Sequence, residues 1–407
     1  MPDFATKTLL VTVSGDDRPG VTSTLFDAIA DVGAEVLDLE QVVVRGHLTL
    51  ALLLAAGPQN SRLREVVASV AKSLGMQVSV KPGSGDNAPR RGGRAAVVVL
   101  GSPLLASAVA AVTTRIAAHG ANIDRIRRLS RYPVTTVEFD ISGADLALLR
   151  SELALEAAVR GVDIAVAPAG LARRGRRLVV IDVDSTLIQG EVIELLAKHA
   201  GKEAEVAIVT SAAMRGELDF AESLRARVAV LAGLPVSVLD EVRAAILLTA
   251  GARTLVRTLK RLGFTVAAVS GGFIEVVGPL AAELEIDHAH ANRLEVRDGF
   301  LTGALVGEIV DRQGKAEALR RFAAEEHLPL SRTVAIGDGA NDLDMLAAAG
   351  LGIAFNAKPI VREQADTAVN VPYLDAVLYL LGITREEIED ADEADGTPTP
   401  APDLPAR

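Results

Sequence analysis

Residues 178–191, LVVIDVDSTLIQGE, run four apolar residues into Asp182 and Asp184, with one valine between the two acids. An ionised carboxylate is among the costliest groups to withdraw from water, so a buried strand ending on two of them needs positive charge at the same place. Three further stretches supply polar groups after apolar runs or at a helix start: Ser270-Gly271-Gly272, Gly314-Lys315 and Gly337-Asp338-Gly339-Ala340-Asn341-Asp342. Carboxylates, a lysine, a hydroxyl and Gly-rich turns together suit chemistry on an anion, with acids to attack, to move protons or to hold a hard cation. Taken singly, Asp182, Ser270 and Asp338 also suit a helix N-cap, and Lys315 an ordinary surface position at a helix start. Their joint occurrence at strand ends is what points to a site.

The elements around these residues place them. From residue 178 onward, short apolar runs (VVID, TVAAVS at 265–270, TVAIGD at 333–338, LGIAF at 351–355) alternate with long helical patterns, as in strands buried on both faces of a parallel sheet. This predicts a doubly wound, Rossmann-like α/β domain over 178–384, whose ligands sit outside the carboxyl ends of the strands. Strand alternation would put Asp182 and Asp184 on one side. Residues 190–250 read as almost wholly helical, broken at Gly233-Leu234-Pro235, which predicts a small helical cap. Asp298-Gly299 inside RLEVRDGFLTGAL predicts a hairpin. The acidic, Pro-rich residues 385–407 are expected to form a disordered tail.

Ahead of this domain lies an internal repeat. Ile29-Ala30 with Gly33-Ala34 returns as Ile116-Ala117 with Gly120-Ala121, and a Gly- and Pro-rich linker at 81–93 separates the copies. Each copy reads as strand, helix, strand, strand, helix, strand, a ferredoxin-like α+β unit with an antiparallel sheet. The stretch GDDRPGVTSTLFDAIADVGAEV (15–36) resembles the start of an ACT domain, a regulatory module that pairs sheets edge to edge and binds amino acids. The expected units are 1–82 and 94–169, the second resting on the repeat alone because it lacks an Asp-Arg-Pro-Gly equivalent. The resemblance implies a homodimer and an amino-acid effector, serine being the obvious one.

In order, DVDST (182–186), Ser270, Lys315 and GDGAND (337–342) resemble the four-motif signature of the haloacid dehalogenase superfamily. That resemblance implies a Mg2+ held by Asp182, Asp338 and the backbone carbonyl of Asp184. It further implies Asp182 as nucleophile and Asp184 as general acid and base, with Ser270, Gly271 and Lys315 on the phosphate. Asn341 would touch substrate, and Asp342 would orient Lys315 or a metal-bound water. Phosphate monoesters need such offsetting of charge because their uncatalysed hydrolysis is among the slowest reactions known. IDVDSTLIQGEVIELLA, MRGELDFAESLRARV, HANRLEVRDGFLTG and AFNAKP further resemble the phosphoserine phosphatase family. By that resemblance Glu191 receives the substrate ammonium and Arg227 clamps its carboxylate, with Met214 and Phe220 closing over the site. Glu191 also suits a helix first turn, and Arg227 a surface pair with Glu222 or Glu191. A phosphatase of the same fold acting on another ester or on phosphoproteins is the alternative.

Composition removes other classes. With no cysteine among 407 residues there is no thiolate nucleophile, and a reducing cytoplasm is the expected compartment. A formal charge of −11 argues against nucleic acid or an anionic membrane as partner, and Arg173-Arg174-Gly175-Arg176-Arg177 reads as a solvated linker. The uncharged run 95–114 has the length of a membrane span, but Gly101-Ser102-Pro103 at its middle reads as a turn between a buried strand and a buried helix. No signal peptide is expected from the N-terminus. His288 and His290 have no third ligand nearby and read as structural.

Overall fold

The computed structural model describes residues 7–85, 92–131, 133–170, 175, 177–214, 219–397 and 399–400, without the side chains of 211–214. Two compact units comprise residues 1–90 and 91–407.

In the first unit, β1 (Lys7–Asp16), α1 (Val21–Ala30), β2 (Val36–Val44), β3 (His47–Ala55), α2 (Asn60–Ser73) and β4 (Gln77–Ser84) form a sheet of order β2-β3-β1-β4. Alternation along β3 turns Leu48, Leu50, Leu52 and Leu54 inward against Leu25 and Ile29 of α1 and Val67 of α2. The supposed linker begins later than expected. Lys81, Pro82, Gly83 and Ser84 continue β4 in register with β1, and Pro82 is tolerated because β4 is an edge strand.

The second unit opens with the same topology: β5 (Ala95–Gly101), α3 (Ala106–Ala118), β6 (Asn122–Ser130), β7 (Thr135–Ser142), α4 (Leu146–Arg160) and β8 (Asp163–Pro168), in the order β6-β7-β5-β8. Every residue of β5 is buried. One face packs on its own helices through Val97 and Val99, while Val98 and Leu100 join the core of the domain that follows. That double burial explains the membrane-like run. Among the described residues, no helix is long and apolar enough to cross a membrane.

The remaining chain builds a seven-stranded sheet of order β12-β11-β10-β9-β13-β14-β15. Its strands are β9 (Leu178–Asp182), β10 (Thr265–Phe273), β11 (His288–Arg297), β12 (Phe300–Val306), β13 (Thr333–Gly337), β14 (Leu351–Phe355) and β15 (Thr367–Val369). All pairings from β11 through β15 are parallel, and only the β11–β12 hairpin is antiparallel. Asp298 (φ 51°) and Gly299 (φ 82°) both adopt the left-handed conformation that a tight two-residue hairpin turn requires.

Four helices, α5 (Val192–His199), α6 (Glu203–Met214), α7 (Phe220–Ala229) and α8 (Val238–Ala245), form the insert between β9 and β10. Its two connections run side by side, Gln189 donating to Leu247 and Thr249 to Leu187. The hairpin holds it from another direction, because Gly233 donates to Leu301 and Val236 to Gly299. The sheet is flanked by α9 (Ala252–Arg261), α10 (Ile274–Glu283), α11 (Arg312–Glu325), α12 (Leu343–Ala348) and α13 (Pro359–Arg362).

After α14 (Val377–Leu380), the expected disordered tail is instead ordered as α15 (Arg385–Ala394), started by a Thr384–Glu387 capping box. Asp392 on this helix and Asp395 just past it are paired rather than left to solvent. Buried Asp392 accepts from Arg257 at 2.7 Å and from Thr399, and Arg261 pairs with both Asp392 and Asp395. Burial alone would raise the Asp392 carboxyl, but bonds from Arg257, Thr399 and Arg261 outweigh it and hold it at about 2. Residues 401–407 lie outside the described residues.

Candidate active site

Residues Leu178–Ile181 of β9 are wholly buried between β10 and β13. Asp182, the last residue in register, therefore emerges at the carboxyl edge of the sheet centre. The chain then leaves the strand in a wide turn over Val183–Leu187, with Ser185 at φ 58° and its amide donating to Gly190. Asp184 thus lies in a turn, and strand alternation is not what orients it. Hydrogen bonds do so: its Oδ1 accepts from the Val192 amide at 2.8 Å, at the first turn of α5, and its Oδ2 from the Ser270 hydroxyl at 2.7 Å. Ser270 Oγ in turn accepts from the Gly272 amide at 2.7 Å.

On the other side of β9, Lys315 reaches in from the first turn of α11. Its Nζ donates to Asp182 Oδ1 at 2.6 Å and Asp342 Oδ1 at 2.7 Å, with all three side chains withdrawn from water. Asp342 Oδ2 accepts from the Gly339 amide, and Asp338 Oδ1 accepts from Thr186 Oγ1 at 3.2 Å. Carboxylate oxygens of Asp182, Asp338 and Asp342 lie within 4.8 Å of one another.

Electrostatics follow from this crowding. Burial, then the charge of Asp342, pushes Asp182 well up, with Lys315 opposing. Burial and Asp342 likewise raise Asp338 to about 6. Burial disfavours the Lys315 ammonium, but Asp182 and Asp342 outweigh it and hold lysine above its ordinary range. The one ammonium bonds two of the three clustered acids, Asp182 and Asp342, so hard carboxyl oxygens outnumber the positive charge at the centre.

Above this centre opens a cleft of about 490 Å³. Asp182, Asp184, Gly271, Gly272, Asp338 and Asn341 line its floor, and Glu191, Phe220, Leu224 and Arg227 its cap side. Arg227 Nη1 lies 3.5 Å from Glu191 Oε2, and Arg227 Nε is buried without a hydrogen-bond partner among the described residues. Burial, then the charges of Asp184 and Glu194, raises Glu191, with Arg227 opposing. The glycines leave little room: a Cβ on Gly272 would stand 2.9 Å from Ser270 Oγ and 3.1 Å from Asp184 Oδ2.

The fold thus brings Asp182, Asp184, Glu191, Arg227, Gly271, Asp338 and Asn341 to one cleft, with Ser270, Lys315 and Asp342 packed beneath. The Met214 side chain and Arg173, Arg174 and Arg176 lie outside the described residues. His288 stacks on Phe322 and meets Glu326 at 2.8 Å. A hollow of about 670 Å³ beside His290 and Arg293 contains none of the acids at the centre. Asn356, Lys358 and Ile360, which follow β14, also line the cleft and were not assigned from sequence. They follow the run LGIAF as Asp182 and Asp338 end theirs, but no acid marks that strand end.

A family model of haloacid dehalogenase-like hydrolases matches residues 179–347, and ACT-domain models match residues 7–81 and 94–167. A phosphoserine phosphatase of Streptomyces coelicolor is 63% identical over 387 residues, covering 95% of this chain and 94% of that protein. One of Mycobacterium tuberculosis is 52% identical over 394 residues, covering 95% and 96% respectively. The solved structure of a probable phosphoserine phosphatase from Vibrio cholerae, 36% identical, superposes with a TM-score of 0.56 over 74% of this chain and 88% of that one.

Proposed function

This chain belongs to the phosphoserine phosphatase family of haloacid dehalogenase-like hydrolases, and from that premise we propose that it hydrolyses O-phospho-L-serine to L-serine and phosphate. One observation carries the choice of ester. Glu191 and Arg227 stand together on the cap side of the cleft that holds Asp182 and Asp184. A carboxylate suits an ammonium and a guanidinium suits a carboxylate, the two groups that distinguish a free amino acid.

In the reaction, a carboxylate oxygen of Asp182 attacks phosphorus in line as the bond from phosphorus to the seryl oxygen breaks, leaving an aspartyl-phosphate. Asp184 gives its proton to the departing seryl oxygen. The same carboxylate then takes a proton from the water that attacks phosphorus, which frees phosphate and restores Asp182. Ser270, which donates to Asp184 here, would turn with the Gly271 amide to the phosphate oxygens, while Lys315 stabilises their charge. The excess of buried carboxylate over ammonium fits a hard divalent cation, and Asp182, Asp338 and the Asp184 carbonyl would hold Mg2+. When bound, that ion supplies positive charge against the phosphate dianion.

Release of L-serine supports a role at the last step of serine biosynthesis, and the cysteine-free composition supports a reducing cytoplasm. The ACT domains support control by an amino acid, serine foremost. Edge strand β2, with Leu39, Val42, Val43 and Val44 exposed, supports pairing with a second copy into a homodimer.

Arg227→Ala tests the substrate. Losing the guanidinium proposed to hold the substrate carboxylate should lower kcat/KM for phosphoserine about a hundredfold, while hydrolysis of para-nitrophenyl phosphate changes little. Unchanged turnover of phosphoserine would remove the assignment.

A further inference from the structure

The cleft is lined by four carboxylates, Asp182, Asp184, Glu191 and Asp338, and by two cations, Arg227 and Lys358. Lys315 lies beneath, held by Asp182 and Asp342, and Arg227 is paired with Glu191. Lys358 alone of these cations makes no ion pair among the described residues. Its backbone is fixed nonetheless: it stands between the end of β14 and Pro359, with its carbonyl accepting from the amides of Val361 at 3.0 Å and Arg362 at 3.2 Å. An exposed ammonium is thereby anchored at the wall of an acidic cleft, on the side of Asp338 and Asn341.

The substrate makes this placement matter. A phosphomonoester carries about −1.5 to −2 at neutral pH, and the ammonium and carboxylate of phosphoserine cancel. It must enter a cleft of acids on a chain of formal charge −11. Local positive charge in such a cleft raises on-rates, and the effect falls with ionic strength.

We propose that Lys358 is the substrate-gathering cation of this site, drawing the phosphate group into the cleft through its charge. The inference rests on the phosphatase reading but not on the choice of serine. Because the ammonium acts on entry and binding alike, it contributes to kcat/KM and leaves kcat nearly alone.

The test uses the full chain with Lys358→Met, Lys358→Arg and Lys358→Glu. At low ionic strength Lys358→Met should lower kcat/KM for phosphoserine about tenfold with kcat within about twofold, and weaken inhibition by inorganic phosphate by a similar factor. The gap should close towards about 0.5 M salt, where screening acts within a few ångströms. Lys358→Arg should keep wild-type values, Lys358→Glu should lose more than Lys358→Met, and melting temperatures should match. An unchanged kcat/KM in Lys358→Met, a loss carried by kcat, or a gap that persists at high salt would overturn the proposal. If the wild type hydrolyses para-nitrophenyl phosphate but not phosphoserine, the seryl assignment falls. The Lys358 comparison is then read from the aryl ester and from phosphate inhibition.

Discussion

Lys315 Nζ lies 2.6 Å from Asp182 Oδ1, with both side chains buried. The same ammonium is 2.7 Å from Asp342, so one positive charge holds two acids together where water does not reach. Removing one partner of a buried ion pair costs about 3–5 kcal/mol because the other is left uncompensated. Lys315→Met should therefore lower the melting temperature as well as phosphate release, the latter by about a thousandfold. The double variant Lys315→Met with Asp342→Asn separates the two effects. It relieves the repulsion and should recover part of the melting temperature, but no activity. Recovery of activity would mean that Lys315 acts only by neutralising Asp342.

Asp184 is tied to Ser270 and to the Val192 amide, a position suited to moving a proton rather than to attack. Asp184→Asn removes that proton donor while keeping shape and an acceptor oxygen. General acid catalysis contributes typically 10²–10⁴-fold, so phosphoserine turnover should fall by about that range. An aryl phosphate departs without needing the proton, and the first step on para-nitrophenyl phosphate should be spared. A stopped-flow burst of nitrophenol followed by slow turnover is the expected trace. Equal losses on both esters, with no burst, would assign Asp184 another role.

Much of this site is legible before any coordinates because a parallel sheet buried on both faces leaves long apolar runs, and the polar residue that ends each run marks the carboxyl edge. Asp182, Ser270 and Asp338 are found in that way. Asn356 and Lys358 end the next run but carry no acidic signature, so the same rule passes over them. The bend that aims Asp184 depends on a left-handed Ser185, a conformation that residue type does not announce. Helix α15 was hidden for another reason. Its acidic composition reads as solvated chain, and the arginines that pair with Asp392 stand far upstream on α9. The continuous burial of β5 likewise comes from packing against the catalytic domain, which local sequence does not contain.

Where β8 meets β15, one more acid is buried outside the catalytic centre. Asp163 accepts from both the backbone and side-chain amides of Asn370, while Thr367 donates to the Ile164 carbonyl. Burial raises the Asp163 carboxyl to about 6, with the Asn370 bonds and the charge of Arg362 opposing. A carboxyl raised in the folded state binds its proton more tightly there than in the unfolded chain. Its contribution therefore favours folding below the unfolded value near 4 and is lost as pH rises through 6. The swing is about 3 kcal/mol at most. Asp163→Asn has no such titration, so the melting temperature of wild type relative to the variant should fall between about pH 4.5 and pH 7.5. A difference that stays constant, or that grows towards neutral pH, would mean that the carboxylate is stabilised where it lies.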